Sequence, residues 1–414
     1  MTIRETGDIV TDSTEPGAIS APMAGRTPRR LRFMLGLAAV VAAVAVIVLS
    51  AVHATRPERG LLDLGSFMHA GASYSKGLNP YAENRGVRPK PLYKSLNLNP
   101  PISVYPFSAI SRFDLQALRV LFFGESLFLF AAIVGVLAVA FPEHRNPVSI
   151  LSVTALAGLW YVLEYNQIYM PLVAAITGAW LLMRRGEWLL AGVLIGLVIA
   201  IKPQFGILAL VLFAAQYRRP AMAAFATAGG VSLIPLLIEG PTIYRQWLQT
   251  LREFEGTLWP GNASLFAVGG RLESPALGYA LIAVMLVTAL AWAWRTRPSV
   301  TDAASVGIIA VILTGPTSWP GYTLFLLPVL FSRSWDWRIW TALVLFAVPQ
   351  WFVVSTAVSS TLADLTVGNI NVWGMLLVLG ATLAKPAHAT AAADREADVP
   401  AARPGGMSAE AAAA

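Results

Sequence analysis

No cysteine occurs in the 414 residues, which removes disulfides, thiolate nucleophiles and cysteine-bound metals from the chemistry open to the chain. The four histidines are scattered without HExxH or similar ligand spacing, so no metal site is expected. A phosphate-cradling GxxxxGK(S/T) loop and a strand-led GxGxxG are also missing, which argues against a nucleotide-driven pump, and no cofactor is expected. Charge is scarce as well. Only 13% of residues are charged against 56% apolar, with mean hydropathy +0.62. Too few charges remain to cover a soluble globule of this size, so lipid must cover much of the surface. The net charge of +7 sits in small clusters between apolar runs rather than along one polar face, a pattern of membrane orientation and not of nucleic-acid binding.

What is present is a succession of apolar runs with no long polar block between them. Residues 1–30 and 385–414, rich in Thr, Pro, Gly or Ala with charge, read as disordered cytoplasmic tails. Between them, 31–384 reads as one all-α polytopic membrane domain. The run Leu31 to Val52 follows Arg26, Arg29 and Arg30 and resembles a signal peptide, but its long polar leader favours an uncleaved first helix. Further runs lie near 115–141, 148–164, 168–183, 188–201, 204–216, 221–238, 275–294, 302–315, 321–332, 337–356 and 369–384, about twelve spans in all. With the N-terminus inside, the inner connections hold His144-Arg145, Arg184-Arg185, Arg218-Arg219, Arg295 with Arg297, Arg333 with Arg338, and Lys385. Each inner turn is basic, so both termini are placed in the cytoplasm of a bacterial-type plasma membrane.

The outer side then holds two long loops, about 53–114 and 239–274, and the polar helix ends, which makes it the expected face for a substrate site. Asp63 lies just beyond the first span, before a segment expected to be helical and to stop at Gly77 to Tyr81. It reads either as a general base at the membrane surface or as the N-cap carboxylate of that helix. Asn97 to Pro106 reads as a rigid extended return to the bilayer. The turn Glu164 to Tyr169 concentrates carboxylate, amide and phenol groups suited to sugar hydroxyls, or is plain loop polarity. Lys202, in AIKPQFG, is a cation where the charge rule disfavours one, so it either meets an anionic group such as a lipid phosphate or snorkels. From Ile243 to Phe254 the pattern is that of an amphipathic helix lying on the bilayer. Asn262 to Leu265 follows, then Arg271, and Gly315 to Tyr322 breaks the helical pattern at another outer end.

In this order the pieces resemble glycosyltransferase family 87, polytopic enzymes of the GT-C fold that use lipid-phosphosugar donors and include mannosyl- and arabinofuranosyltransferases. The likeness covers roughly residues 33–384. It rests on Asp63 with Gly77 to Tyr81, Asn99 to Pro101, Tyr165 to Gln167, Ala191 to Gln204, Asn262 to Leu265 and Thr317 to Trp319. After that tryptophan, where many members look to carry acidic or histidine residues, this chain has Pro320, Gly321 and Tyr322.

The resemblance implies a hexosyltransferase moving a sugar, with mannose the leading expectation, from a polyprenyl phosphate donor to an envelope glycolipid or polysaccharide. The family's catalytic aspartate falls on Asp63, and one placed carboxylate suffices for an inverting transfer. Lys202 or Arg271 would meet the donor phosphate without a divalent metal. Asn166, Gln167 and Asn262, with Trp319 and Tyr322, would contact sugar or acceptor hydroxyls, and the segment near Trp247 would guide the lipid tail. The alternatives are an arabinofuranosyltransferase of the same fold, an O-antigen ligase-like enzyme, a transporter or flippase, and a non-catalytic envelope scaffold. Transporters tend to carry ionisable groups near mid-membrane in both halves of an internal repeat, and neither feature is found.

Overall fold

A computed structural model of the chain describes residues 29–55, 62–82, 96–254 and 258–384. The expected tails, apart from Arg29 and Arg30, lie outside the described residues, as do Lys385 and the basic stretch 85–94. Residues up to Val41 and residues from Ala42 onward form two units. The described part of the first is the opening of a helix, Arg29–Ala54; everything below concerns the second.

Each apolar run is a helix or a broken helix pair, and no strand occurs among the described residues. Length then divides them. Leu115–Ala140, Arg218–Glu239, Pro275–Thr296 and Thr361–Ala384 are long and apolar enough to cross a bilayer, where ~20 residues span the ~30 Å hydrocarbon core. Pro147–Thr154 with Ala157–Tyr165, bent by 46°, and Trp337–Phe346 with Gln350–Ala357, bent by 79°, qualify only as pairs. Val40–Ala54, Tyr169–Arg184, Trp188–Ile201, Pro203–Ala214, Val300–Thr314 and Pro320–Phe331 are shorter. Crossing helices by length and composition therefore number four, or six with the bent pairs, among the described residues. The lower number than the twelve runs has a local cause: Pro203, Pro316 and Pro349 sit at breaks, where the missing N–H and the ring interrupt the helical ladder.

The short helices pack through small residues. On Trp188–Ile201, a Cβ at Gly192 would stand 2.5 Å from the Pro220 carbonyl oxygen, and one at Gly196 would stand 2.5 Å from that of Ala224. This four-residue spacing brings the backbone of Trp188–Ile201 against Arg218–Glu239, a close approach that helices in lipid use in place of hydrophobic expulsion.

The connections that the charge pattern assigns to the cytoplasm meet at one end. The His144 ring lies 2.8 Å through Nε2 from the Arg333 carbonyl oxygen, and Arg333 in turn donates to Asp302 Oδ1 at 2.5 Å. The Tyr217 hydroxyl donates to the Pro298 carbonyl at 3.0 Å, and the Arg184 guanidinium lies 4.6 Å from the centre of the Phe141 ring.

At the opposite end, the helix Leu62–Ser75 forms as expected and stops where Gly77 takes φ +69°. There the Gly77 and Leu78 N–H groups donate to the Tyr74 and Ser73 carbonyls, both at 2.9 Å, a common helix stop. Its Phe67 ring stacks 4.9 Å from that of Phe107 on the helix Val104–Ile110. The extended return expected through Pro106 ends at Pro100, because Pro101 opens a 3-10 turn that leads into Val104–Ile110. Proline suits a first helical position, where its missing N–H costs nothing. The amphipathic segment is the helix Pro241–Arg252. Part of its inner face lies on protein and not on lipid: Trp247 Nε1 donates to the Leu98 carbonyl at 3.1 Å, and the Thr250 hydroxyl donates to that of Tyr81 at 3.2 Å. Leu248 and Leu251 stay exposed.

Candidate functional site

Asp63 is the second residue of Leu62–Ser75 and not the residue before it. Its carboxylate accepts a hydrogen bond from Gln167 Nε2. Leu64, Phe67 and Met68 seat this helix in an apolar cluster against Phe107 and Leu118, and Ile168 packs on the same cluster. The neighbour of Gln167 is thus fixed to the helix whose aspartate Gln167 holds. Upstream, Asn166 closes Ala157–Tyr165 in the left-handed conformation, φ 50°, and the Gln167 N–H returns to the Val162 carbonyl at 3.0 Å. Asparagine tolerates that conformation because its short side chain bonds locally.

Burial raises the Asp63 carboxyl to about 6, against the opposing influence of the Gln167 hydrogen bond and of the Lys202 charge. Lys202 occupies the break between Trp188–Ile201 and the turn Pro203–Phe205. Its ammonium stands 5.0 Å from the centre of the Tyr169 ring and 5.8 Å from that of Tyr322. These rings meet edge to face at 5.0 Å, and Gln204 Nε2 donates to the Tyr322 hydroxyl at 2.8 Å. Aromatic faces offset part of the cost of desolvating a cation and hold it within electrostatic reach of Asp63. Carboxylate, amide, ammonium and phenols thus converge from four separate stretches of chain.

Of the residues singled out in the sequence, the structure brings Asp63, Gln167, Lys202 and Tyr322 together. Asn262 is fully buried and structural in its contacts: Oδ1 accepts from the Ser264 N–H at 3.1 Å and the Ser318 N–H at 2.9 Å. With the Ala263 N–H on the Ser318 carbonyl at 2.7 Å, it ties the loop before Leu265–Arg271 to the one after Val300–Thr314. Arg271 is likewise engaged, by Asp364 at 3.1 Å, by the Trp259 carbonyl at 2.8 Å and by Asn369. A guanidinium held at three nitrogens has little left for a phosphate. Trp319 is half-buried at the start of Pro320–Leu326 and packs on the main core. Tyr169 stood in the sequence only within the polar turn Glu164 to Tyr169, and Gln204 carried no role although it lay inside a quoted motif; Gln204, two residues beyond Lys202 across a proline, was the readable signal.

Neither a curated protein nor a solved structure shows a significant match to the chain. A family model does match, over residues 97–316. That stretch holds Gln167, Lys202 and Asn262, while Asp63 precedes it and is joined to it through Gln167. Covering more than half of the chain, the match makes this protein a member of glycosyltransferase family 87.

Proposed function

We propose that this transferase moves a sugar, mannose in the first instance, from a polyprenyl phosphate to a hydroxyl of an envelope glycolipid or glycan, with inversion. The observation that carries the reading is the pairing of a raised-pKa carboxylate, Asp63, with a lysine, Lys202, at one end of the helices. Asp63 takes the proton of the acceptor hydroxyl as its oxygen bonds to the anomeric carbon. The bond from that carbon to the phosphate oxygen breaks on the opposite face, and polyprenyl phosphate leaves as an anion. Lys202 stabilises the charge that develops there, in a setting that water screens poorly. Gln167 aims the base and Tyr322 borders the sugar. Arg271 and Asn262 are assigned to holding the outer loops, since their polar atoms are engaged by Asp364, Asn369, Trp259, Ser264 and Ser318.

The apolar helices support a multi-pass GT-C arrangement of about twelve membrane segments, several shorter than a full span. The basic turns support cytoplasmic termini and an active site on the non-cytoplasmic face of a bacterial-type inner membrane. The test is transfer from radiolabelled polyprenyl-phosphate mannose or arabinose to membrane acceptors by the reconstituted protein. Asp63→Asn is expected to lower the rate at least about 100-fold, the contribution of a general base. Unchanged transfer would remove Asp63 from the mechanism; consumption of the arabinose donor alone would select the arabinofuranosyl reading.

A further inference from the structure

Gln204 stands two residues beyond Lys202 and has no part in the reaction described above. The two share one rigid turn. The Lys202 N–H donates to the Val198 carbonyl at 2.7 Å and the Phe205 N–H to that of Lys202 at 3.0 Å. The fully buried Phe205 ring lies 4.7 Å from that of Phe325 and anchors the turn in the core. Both side chains then run to the same neighbour. The Lys202 ammonium stands 5.8 Å from the centre of the Tyr322 ring, and Gln204 Nε2 donates to the Tyr322 hydroxyl at 2.8 Å. The chain after Val300–Thr314 closes on the same nitrogen, since a Cβ at Gly315 would stand 3.4 Å from it. Held at its nitrogen, the amide has its other end fixed as well. That end, Oε1, accepts no hydrogen bond from the described residues, and Gln204 is only half-buried, next to the exposed Pro203. Tyr322 is 2% exposed with its hydroxyl engaged, so the free polar atom at this corner is the Gln204 oxygen. The Lys202 ammonium likewise has no hydrogen bond or ion pair among the described residues.

We propose that Gln204 determines donor specificity by accepting, through Oε1, a hydrogen bond from the 2-hydroxyl of the donor sugar while Lys202 meets the phosphate. The inference rests on the transferase reading above and adds a contact to it. A glycosyl phosphate carries its phosphate on the anomeric carbon, and the hydroxyl next to that bond is the one on C2. An ammonium and a hydrogen-bond acceptor on a single turn, against a single ring, match those two groups. A carbonyl oxygen has lone pairs and no proton to give, so it recognises a hydroxyl and not a phosphate oxygen. The contact also gains strength during the reaction. As the bond to phosphate breaks, positive charge grows on the anomeric carbon and the 2-hydroxyl becomes a better donor. An acceptor already fixed in place is then worth more in the transition state than in the bound donor, so its loss should fall on kcat more than on KM. Mannose and arabinose both carry a hydroxyl on C2, so the contact serves either donor.

The test pairs changes in the protein with changes in the donor. The full chain in lipid nanodiscs, with membrane acceptors, is given polyprenyl-phosphate mannose or arabinose and the 2-deoxy and 3-deoxy forms of each. The quantity read is kcat for the normal donor over kcat for the deoxy donor. Comparing this ratio between proteins cancels the intrinsic reactivity of the deoxy sugar. The wild type and Gln204→Glu, which keeps an acceptor oxygen, should show the same 2-deoxy ratio. In Gln204→Leu and Gln204→Met that ratio should fall about tenfold, the weight of one hydrogen bond, with the 3-deoxy ratio unchanged. Either apolar variant suffices if the other melts before assay. Two outcomes overturn the proposal: one 2-deoxy ratio common to all the proteins, or an equal fall in the 2-deoxy and 3-deoxy ratios. In both cases the amide only props Tyr322. If the wild type transfers from neither donor, the transferase reading falls and takes the contact with it. Normal transfer by Asp63→Asn with the wild-type 2-deoxy ratio would defeat the base assignment and leave the Gln204 contact standing.

Discussion

Asp63 illustrates how far a residue can be read before its neighbours are known. Its place after an apolar run suggested both a helix cap and a base, and only the long-range bond from Gln167, 104 residues on, favours the second. A carboxyl raised to about 6 must be ionised to accept a proton, so transfer should be lost as pH falls through about 6 and should be level above it. In the folded protein the raised value means that ionising Asp63 opposes stability, and this opposition vanishes as pH falls. Since the Lys202 charge holds the Asp63 value down, Lys202→Gln should move the acid limb of the rate profile upward as well as lower the rate. A pH–rate series on both proteins reads the two effects. Lys202 and Tyr322 were legible as anomalies of charge and helix breaking; the roles of Arg271 and Asn262 were not, because nothing local announces the partners Asp364, Asn369 and Ser318. At the other end, Asp302→Ala would leave the buried Arg333 guanidinium without its carboxylate. A loss of about 3–5 kcal/mol is expected for such a pair broken on one side, measurable as a lowered melting temperature.

Among the elements, apolar periodicity located the helices well and their lengths poorly. A run of apolar residues looks alike whether it crosses straight, bends at Pro349 or stops at Lys202, since the deciding residues are single prolines and glycines within it. Pro101 misled in the other direction: paired with Pro100 it reads as extended, yet it opens a helical turn. The close pair of Trp188–Ile201 and Arg218–Glu239 was also hidden, because glycines inside an apolar run carry no sign of the partner they face. Gly196→Leu would drive a side chain into Ala224 and Thr227. Overpacking of this kind costs about 1–3 kcal/mol, so the variant should melt lower, and Gly230→Ala, where nothing stands within 4 Å, should not.

For the molecule as a whole, sidedness is the property most open to direct measurement, and the absence of cysteine makes the measurement clean. Single variants Glu273→Cys and Arg185→Cys place thiols at exposed positions, at ends that the charge pattern assigns to the outer and inner sides respectively. A membrane-impermeant maleimide added to intact spheroplasts should label the first and reach the second only after permeabilisation; the reverse pattern would invert the topology. The alternation of basic turns was readable because it is written in local composition. The convergence of four stretches on Lys202 and Asp63 was not, since it arises from tertiary packing.

The short helices have a further consequence for how a substrate travels. Tyr169–Arg184 has 16 residues, ~24 Å at the α-helical rise, against a hydrocarbon core of ~30 Å. If its basic end is anchored at one surface, its tyrosine end falls several ångströms short of the other. On the proposed function, a lipid-linked donor would then have to bring its headgroup below the level of that surface to reach Lys202, while its tail stayed in the hydrocarbon, and the acceptor would have to come to the same depth.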